Sequence, residues 1–474
     1  MSSGVKFNSH IIIKKLILAL GCFSLLVSCS SKTDSKPNII IILADDAGYS
    51  DFGFMGSDEI KTPNLDQLAF DGVTFNNAYV SASVCSPSRA GLLTGMYQQR
   101  FGHECNLDSD VNNSFDPNQI TIAEALKTEG YNTGLIGKWH LGDKTQNHPL
   151  KNGFDYFWGF ISGARNYFYD PNEEFRNSIR NVVENYTQTK FDGYLTDVLG
   201  DKAIGFINKN HQSNNPFFLF LSFNAPHTPM HAKDDILEKF KDNPRRVYAS
   251  MMWSMDEAIG NVVEALKEND QYDNTIIYFL SDNGAAMSND ASPFPFKGWK
   301  GNQYEGGIKT PMIMTWKNKI KSNTQFDGFI SALDIFKTSL EVSNVKKEFM
   351  INADGKNIMN YLNNNIRNEN LFWRKDKMAT VRSGDYKLIR LNDTSTVLYN
   401  IKKNYFEDFD LKINEPQLHD SLLKLLSSWE NTLIDPNWIE NKNWNIVTEM
   451  IYEDLMANRD IRALSPKDLN NSVK

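Results

Sequence analysis

The feature that most constrains this chain is a run of six apolar residues, Ile39-Ile40-Ile41-Ile42-Leu43-Ala44, that stops abruptly at Asp45-Asp46. A strand with apolar side chains at every position has no face to offer to water, so it belongs inside a parallel sheet covered on both sides. The pattern recurs: Tyr131–Gly137 runs into Lys138-Trp139-His140, Phe217–Phe223 into Asn224-Ala225-Pro226-His227, and Ile276–Leu280 into Ser281-Asp282-Asn283-Gly284. Helical patterns lie between these runs. Thr62-Pro63 offers a cap and a first-turn proline ahead of Leu65, Leu68 and Ala69. Thr121 and Glu124 have capping-box spacing ahead of a helix that stops at Gly130, and Met251, Met252, Met255, Ile259, Val262, Val263 and Leu266 follow helical spacing. The alternation predicts an α/β fold, a mostly parallel central sheet flanked by helices. In such sheets ligands sit beyond the carboxyl ends of the strands, where these runs deliver carboxylates, an amide, a lysine and histidines.

From about Leu371 the texture changes to shorter strand-like pieces, Tyr386–Ile389 and Thr396–Tyr399, then a helical stretch near Leu418–Trp429. This predicts a main domain over 38–370 and a small C-terminal α+β subdomain with its tail over 371–474. The tail from Asp435 onward, with Trp438 and Trp444, carries no usable signal. At the other end, Lys14 and Lys15 precede an apolar run, Leu16–Val27, that is short for a membrane span and reads as an export signal over 1–28. Its end, Leu26-Val27-Ser28-Cys29, resembles the lipobox of bacterial lipoproteins and predicts lipidation at Cys29, a membrane tether, and a periplasmic or cell-surface location. A plain cleaved signal with Cys29 incidental is the alternative. A polar linker, 29–37, follows. Removing residues 1–28 deletes three lysines and no acid, taking the formal charge from −8 to −11. That balance argues against a nucleic-acid partner. Of the four cysteines only Cys85 and Cys105 remain in the body, too few for a disulfide framework.

The sharpest motif is Cys85-Ser86-Pro87-Ser88-Arg89-Ala90-Gly91-Leu92-Leu93-Thr94-Gly95. Pro87 suits the first turn of a helix with Ser86 as its cap, which puts Cys85 at a helix N-terminus, where free N–H groups and the helix dipole favour anions. A low-pKa thiol would suit the same place. The string, however, resembles the signature of the type I sulfatases, in which a separate maturation enzyme reads Cys-x-Pro-x-Arg and oxidises the cysteine to formylglycine.

The resemblance extends in order along the chain. Asn38–Asp46 is similar to the family's first metal strand, Gly130–Gly142 to its second signature, and Pro226-His227-Thr228-Pro229 and Ser281–Gly284 to two further motifs. Lys297–Gly307 resembles the loop carrying the sulfate-binding lysine, here Lys300. The resemblance implies an alkaline phosphatase-like fold and a sulfuric ester hydrolase, in outline like arylsulfatases and N-acetylgalactosamine-6-sulfatases, acting on sulfated glycans. It also implies a metal held by Asp45, Asp46, Asp282 and Asn283 with the modified Cys85. That oxygen-rich set suits a hard cation, calcium first and magnesium second. Lys138, His140, His227, Lys300 and Arg89 would serve sulfate and its proton transfers. By resemblance, the hydrated aldehyde attacks sulfur, His227 and Lys300 assist the leaving oxygen, His140 takes the proton that expels sulfate, and Arg89 holds the formylglycine side chain.

Two other readings fit part of the pattern: a phosphonate or phosphate ester hydrolase of the same fold, and a non-catalytic sulfated-glycan-binding lipoprotein in which Cys85 is never matured. His103, His148, His211 and His231 carry no motif and read as structural. Trp299, Phe294, Phe296 and Tyr167 are candidates to line a sugar pocket. Met96 stands where the family commonly has a basic residue, and Cys105 has no family role.

Overall fold

The computed structural model describes residues 1–3, 36–107, 113–172, 178–213, 215–362, 367 and 369–470. Most of the export segment, most of the linker and Cys29 lie outside the described residues.

Residues 37–474 form one compact unit. Its large sheet contains β1 (Asn38–Ala44), β2 (Val73–Tyr79), β3 (Asn132–Lys138), β4 (Tyr156–Phe160), β5 (Val183–Glu184), β6 (Thr187–Gln188), β7 (Phe217–Ser222), β8 (Thr275–Ser281), β9 (Lys309–Thr310), β10 (Met312–Trp316) and β11 (Thr324–Ser331). They run in the order β11-β2-β10-β8-β1-β7-β3-β4-β5-β6, with β9 paired to β2. The central strands β8, β1, β7, β3 and β4 are mutually parallel, and β10 is the antiparallel insertion beside β8. Sequence reading anticipated this mostly parallel sheet but not β10 or β11, which lie after the last recognisable motif.

Six helices matter to the main sheet and its attachment: α1 (Pro63–Phe70), α2 (Cys85–Thr94), α3 (Ile122–Lys127), α4 (Leu195–His211), α5 (Arg246–Glu268) and α6 (Asp334–Val342). The all-apolar β1 is buried throughout. Ile40 and Ile42 enter the core shared with Leu199 of α4 and Met252 and Ile259 of α5. Ile39, Ile41 and Leu43 enter the opposite core with Leu92 of α2, Leu126 of α3 and Leu340 of α6. Each such side chain contributes roughly 2 kcal/mol of gross burial free energy. The strand is therefore anchored on both faces, and its end is a rigid platform.

Local capping follows the sequence in one case and departs from it in two. Thr121 and Glu124 form the full capping box of α3. Thr62 does not cap α1 with its side chain, because its Oγ accepts from the Gly53 N–H and donates to Asp66. The carboxylate of Asp256, buried on α5, does that work instead, accepting from the Asn64 N–H at 3.0 Å and the Leu65 N–H at 2.8 Å. Ser86 is likewise no cap: it is the second residue of α2, and Val84 occupies the cap position.

A second sheet, β12 (Leu371–Lys375), β13 (Met378–Ser383), β14 (Tyr386–Leu391) and β15 (Ser395–Asn400), is an antiparallel meander. Helix α7 (Pro416–Glu430) covers one face through Leu422, Leu426 and Trp429. Helix α8 (Lys442–Met456) covers the other through Val447, Ile451 and Leu455. That four-residue spacing is an apolar helical stripe inside the tail. Among the described residues no helix is long and apolar enough to cross a membrane.

The parallel register brings the carboxyl ends of four strands together, pairing Leu43 and Gly137 with Ser222, and Ala44 with Ser281. Gly137 permits the closest of these approaches: its φ is +112°, and a Cβ there would lie 1.8 Å from the Ser222 carbonyl oxygen. Gly137→Ala should therefore destabilise the chain by about 4 kcal/mol or more, through backbone strain and a backbone clash together. A urea titration should show a clearly lowered midpoint; an unchanged one would contradict this packing.

Candidate active site

Beyond those strand ends the side chains converge. Asp45 and Asp46 follow β1, Lys138 ends β3, His227 lies in the turn after β7, and Asp282 and Asn283 follow β8. Cys85 is the first residue of α2. Its Sγ lies 3.7 Å from Asp45 Oδ1, 3.8 Å from Asp46 Oδ1 and 3.0 Å from Lys300 Nζ. Lys300 arrives on the loop before α8's neighbour Tyr304, held by its N–H donating to Ala285 O and that of Gly301 donating to Ser83 O.

Three buried carboxylates face three cations here. Lys138 Nζ donates to Asp45 Oδ2 at 2.5 Å. Lys300 Nζ donates to both Asp46 oxygens at 2.6 and 2.8 Å. Arg89, completely buried, directs Nε and Nη2 onto Asp282 Oδ2 at 2.9 and 2.8 Å, and Nη1 onto Ser222 Oγ at 2.6 Å. Burial alone would raise the Asp45 and Asp46 carboxyls, but the surrounding cations, Lys138 first for Asp45 and Lys300 first for Asp46, hold both below the usual range. Asp282 goes the other way, pushed up to about 6 by burial and the Asp45 charge against the opposing Arg89.

The histidines are set for different work. His227 Nδ1 donates to the Thr228 carbonyl at 2.6 Å, leaving Nε2 3.6 Å from Asp46 Oδ2. Burial lowers its pKa, and the Asp45 and Asp46 charges oppose that shift. His140 sits in a left-handed turn at φ 58° just past β3, with its ring against Gly163. Burial, then the Lys138 and Arg89 charges, pushes its pKa well down, so the ring is a neutral base. Its Nδ1 has no hydrogen-bond partner among the described residues.

The donor set fits a hard divalent cation. Asp45, Asp46, Cys85 and His227 place ligand-capable atoms within 4.8 Å of one another. Asn283 donates from Nδ2 to Asp46 Oδ1, while its Oδ1 is a buried acceptor with no partner among the described residues. A buried amide oxygen beside carboxylates is the kind of atom a metal satisfies. Cys85 itself is a poor thiolate: burial pushes the thiol well above its usual range, and Lys138 and Lys300 offset only part of that.

The chain as a whole resembles known proteins. The Sulfatase family model matches residues 37–345. The uncharacterized sulfatase YdeN of Escherichia coli (strain K12) is 32% identical over 401 residues, covering 72% of this chain and 69% of that protein. The chain belongs to the sulfatase family. Accordingly this sulfatase is a sulfuric ester hydrolase, and the family implies a divalent metal at the strand ends. N-acetylgalactosamine-6-sulfatase of Homo sapiens is 30% identical over 388 residues, covering 76% of this sulfatase and 72% of the relative. The structure of Ps i-CgsB in complex with k-i-k-neocarrahexaose superposes with a TM-score of 0.82 at 35% identity, covering 89% of this chain and 99% of that one.

Several residues of the sulfatase site carried no sequence signal. Ser222 holds Arg89, and Asn289 donates to Pro226 O at 2.9 Å and Asp46 O at 3.3 Å. Asn106 accepts from the Ser86 N–H at 3.0 Å, so a loop residue satisfies the first turn of α2. Ser86 Oγ meets His103 Nε2 at 2.8 Å. Cys85 and Cys105 are both free thiols, and Cys105 donates to Asp376 at 3.5 Å. Of the four candidate sugar-pocket aromatics, Tyr167 is corrected: it is fully buried, and its hydroxyl lies 2.6 Å from Asn224 O and 2.8 Å from His227 O, which steadies the His227 turn. Phe296 is occupied by an edge contact with Tyr49, Phe294 is exposed, and Trp299 lines a cavity with Lys300.

Gly163 offers a test of His140 that leaves the charged cluster untouched. A Cβ on Gly163 would stand 2.6 Å from His140 Nε2, while its own backbone is not left-handed. Gly163→Ala should displace the imidazole and lower kcat on the order of 10²-fold, the cost of a roughly 1 Å misplacement, with little change in melting temperature. Undiminished kcat would remove His140 from the reaction.

Proposed function

We propose that this sulfatase removes sulfate from sulfated oligosaccharides outside the cytoplasm, using formylglycine made from Cys85 and calcium held by Asp45, Asp46, Asp282 and Asn283. The observation that carries the reading is the setting of Cys85: it opens a helix, Lys300 and two carboxylates surround it, and burial suppresses its thiolate. A thiol so suppressed is a poor nucleophile, whereas a group oxidised to an aldehyde and hydrated no longer depends on thiolate formation. Carboxylate and amide oxygens are the hard ligands calcium prefers. The sugar reading draws on the N-acetylgalactosamine-6-sulfatase relative and on the neocarrahexaose bound by Ps i-CgsB.

Held by Asp45, Asp46, Asp282 and Asn283, the metal would supply Lewis-acid polarisation, and formylglycine at position 85 would supply the attacking oxygen. The remaining work belongs to this chain's own side chains. Lys138 and Lys300 present ammonium groups to the sulfate oxygens in a water-poor setting, where such charges act strongly. His227, braced by its Nδ1–H donating to Thr228 O, turns Nε2 to the departing ester oxygen and would donate there in its imidazolium form, which the Asp45 and Asp46 charges favour against burial, and Lys300 donates a hydrogen bond beside it. His140, kept neutral, accepts the proton whose removal releases sulfate. Arg89 orients Asp282 and shares its charge with Asp45.

Location rests on the Leu26-Val27-Ser28-Cys29 motif, which supports lipidation at Cys29 and attachment to a membrane. Cells fed a labelled fatty acid should incorporate it into the wild type and not into Cys29→Ser; equal labelling would overturn the anchor.

Protein co-expressed with a maturation enzyme should yield a Cys85 peptide whose mass loss matches conversion of thiol to aldehyde. It should release sulfate from sulfated saccharides, and Cys85→Ala should abolish that release. The same protein should hydrolyse a sulfate ester far faster than the matching phosphate ester. Faster phosphate cleavage would favour the phosphate ester hydrolase, and an unmodified Cys85 with binding but no turnover would favour the glycan-binding lipoprotein.

A further inference from the structure

A cavity of about 430 Å³, well within the size of small-ligand sites, opens beside the sulfate-binding centre. Val84 and Lys300 line it, so its inner end touches the two residues that border Cys85 on the chain and in space. Its outer wall is the C-terminal tail, through Ile439, Glu440, Trp444, Thr448 and Ile451. Trp444, Thr448 and Ile451 follow a 4-then-3 spacing and share one face of α8.

We propose that this cavity seats the sugar of the sulfated substrate and that Trp444 is its stacking platform, which makes the tail the specificity-determining part of the enzyme. This rests on the sulfated-oligosaccharide reading given above.

Four observations carry it. Trp444 leaves 43% of its surface exposed, and the cavity residues Met287, Ile439 and Leu464 are also exposed, at 53%, 64% and 51%. A rim of that composition suits the apolar C–H face of a hexose, for which a rigid indole is the usual partner. Trp299, from the same loop as Lys300, lines the same space and supplies a second indole. Polar matching is present as well: Ser288, Asn302 and Asn441 offer hydroxyl and amide groups to sugar hydroxyls. Finally, the one acid among the described lining residues is neutralised, since Glu440 Oε2 accepts from Lys375 Nζ at 2.8 Å. An isolated carboxylate there would repel a polyanionic glycan; the ion pair does not.

The tail is tied to the chemistry rather than draped over it. Trp438 Nε1 donates to Asn106 O at 3.1 Å and its ring meets His103 at 4.7 Å, and His103 reaches Ser86 next to Cys85. Tyr452 of α8 accepts at its hydroxyl from the Gln303 N–H at 2.6 Å, three residues past Lys300. A sugar held on α8 is thereby held in register with the sulfate group.

The test compares two substrates on the full, matured chain: a small aryl sulfate, and a panel of sulfated oligosaccharides that includes k-i-k-neocarrahexaose and N-acetylgalactosamine 6-sulfate. Trp444→Ala should raise KM about tenfold on whichever saccharide the wild type cleaves, while aryl sulfate kinetics stay within about twofold. Trp444→Tyr should restore most of the saccharide KM. An unchanged saccharide KM overturns the proposal, as does an equal loss on both substrates, which would mark a structural role. If the wild type hydrolyses the aryl sulfate but none of the saccharides, the oligosaccharide reading falls and this inference with it; desulfation by wild type and variant alike would sink the inference alone.

Discussion

Everything at the strand ends depends on one electrostatic arrangement: three buried carboxylates, Asp45, Asp46 and Asp282, matched by Lys138, Lys300 and Arg89. Burying such a group without a partner costs several kcal/mol, and removing one member of a buried pair typically costs about 3–5 kcal/mol. No single side chain here can therefore be judged alone. Arg89 illustrates this: it contacts Asp282, Ser222 and the Lys138 carbonyl at once, so one residue of the Cys85 motif ties together the ends of β3, β7 and β8. The strain needed to assemble the cluster falls on the backbone, with Asp46 and His140 both in left-handed conformations at φ 69° and 58°.

That arrangement is possible because the sheet beneath it is stiff. Strand β1 is apolar on both faces and lies between β7 and β8 in unbroken parallel register. Charges at the end of a strand anchored in two cores cannot drift, so carboxylate positions are set before substrate arrives, which is the physical content of preorganisation. The same logic explains the glycine at 137. At its positive φ a Cβ would meet the Ser222 carbonyl of β7, so a residue without a Cβ is needed for β3 to lie in register beside β7.

Much of this was legible in the sequence, for a physical reason: strands buried on both faces are continuous apolar runs, and the residues that end them are conspicuous by contrast. Asp45, Lys138, His227 and Asp282 could be placed at one sheet edge from that contrast alone. What escaped were contacts between residues distant in the chain. Asp256 caps α1 from α5, nearly two hundred residues away, so Thr62 was free for another bond. Ser86 looked like a cap because serine before proline often is one, yet Asn106 supplies the acceptor and frees Ser86 for His103. Tyr167 read as a candidate sugar-pocket aromatic because nothing local reveals that its hydroxyl serves the Asn224 and His227 carbonyls.

The tail shows where this kind of legibility ends and why. A catalytic motif is dense, because the chemistry demands particular groups at short spacing, and density is visible in a single sequence. A sugar-binding wall makes no such demand. It needs an indole, a few amides and an apolar edge, which here come from Trp299, Asn302 and Trp444, spread over some 140 positions and joined only in space. Residues of that kind also serve ordinary cores, and Val447, Ile451 and Leu455 of the same helix do so on the small sheet. The helix therefore has two loads, packing inward and recognition at its rim, and only the first leaves a periodic trace. A family whose members share one reaction can for that reason diverge in substrate with little change in any motif: the stiff strand ends hold the reaction constant, while a tail free of catalytic groups can vary without disturbing the charges beneath it.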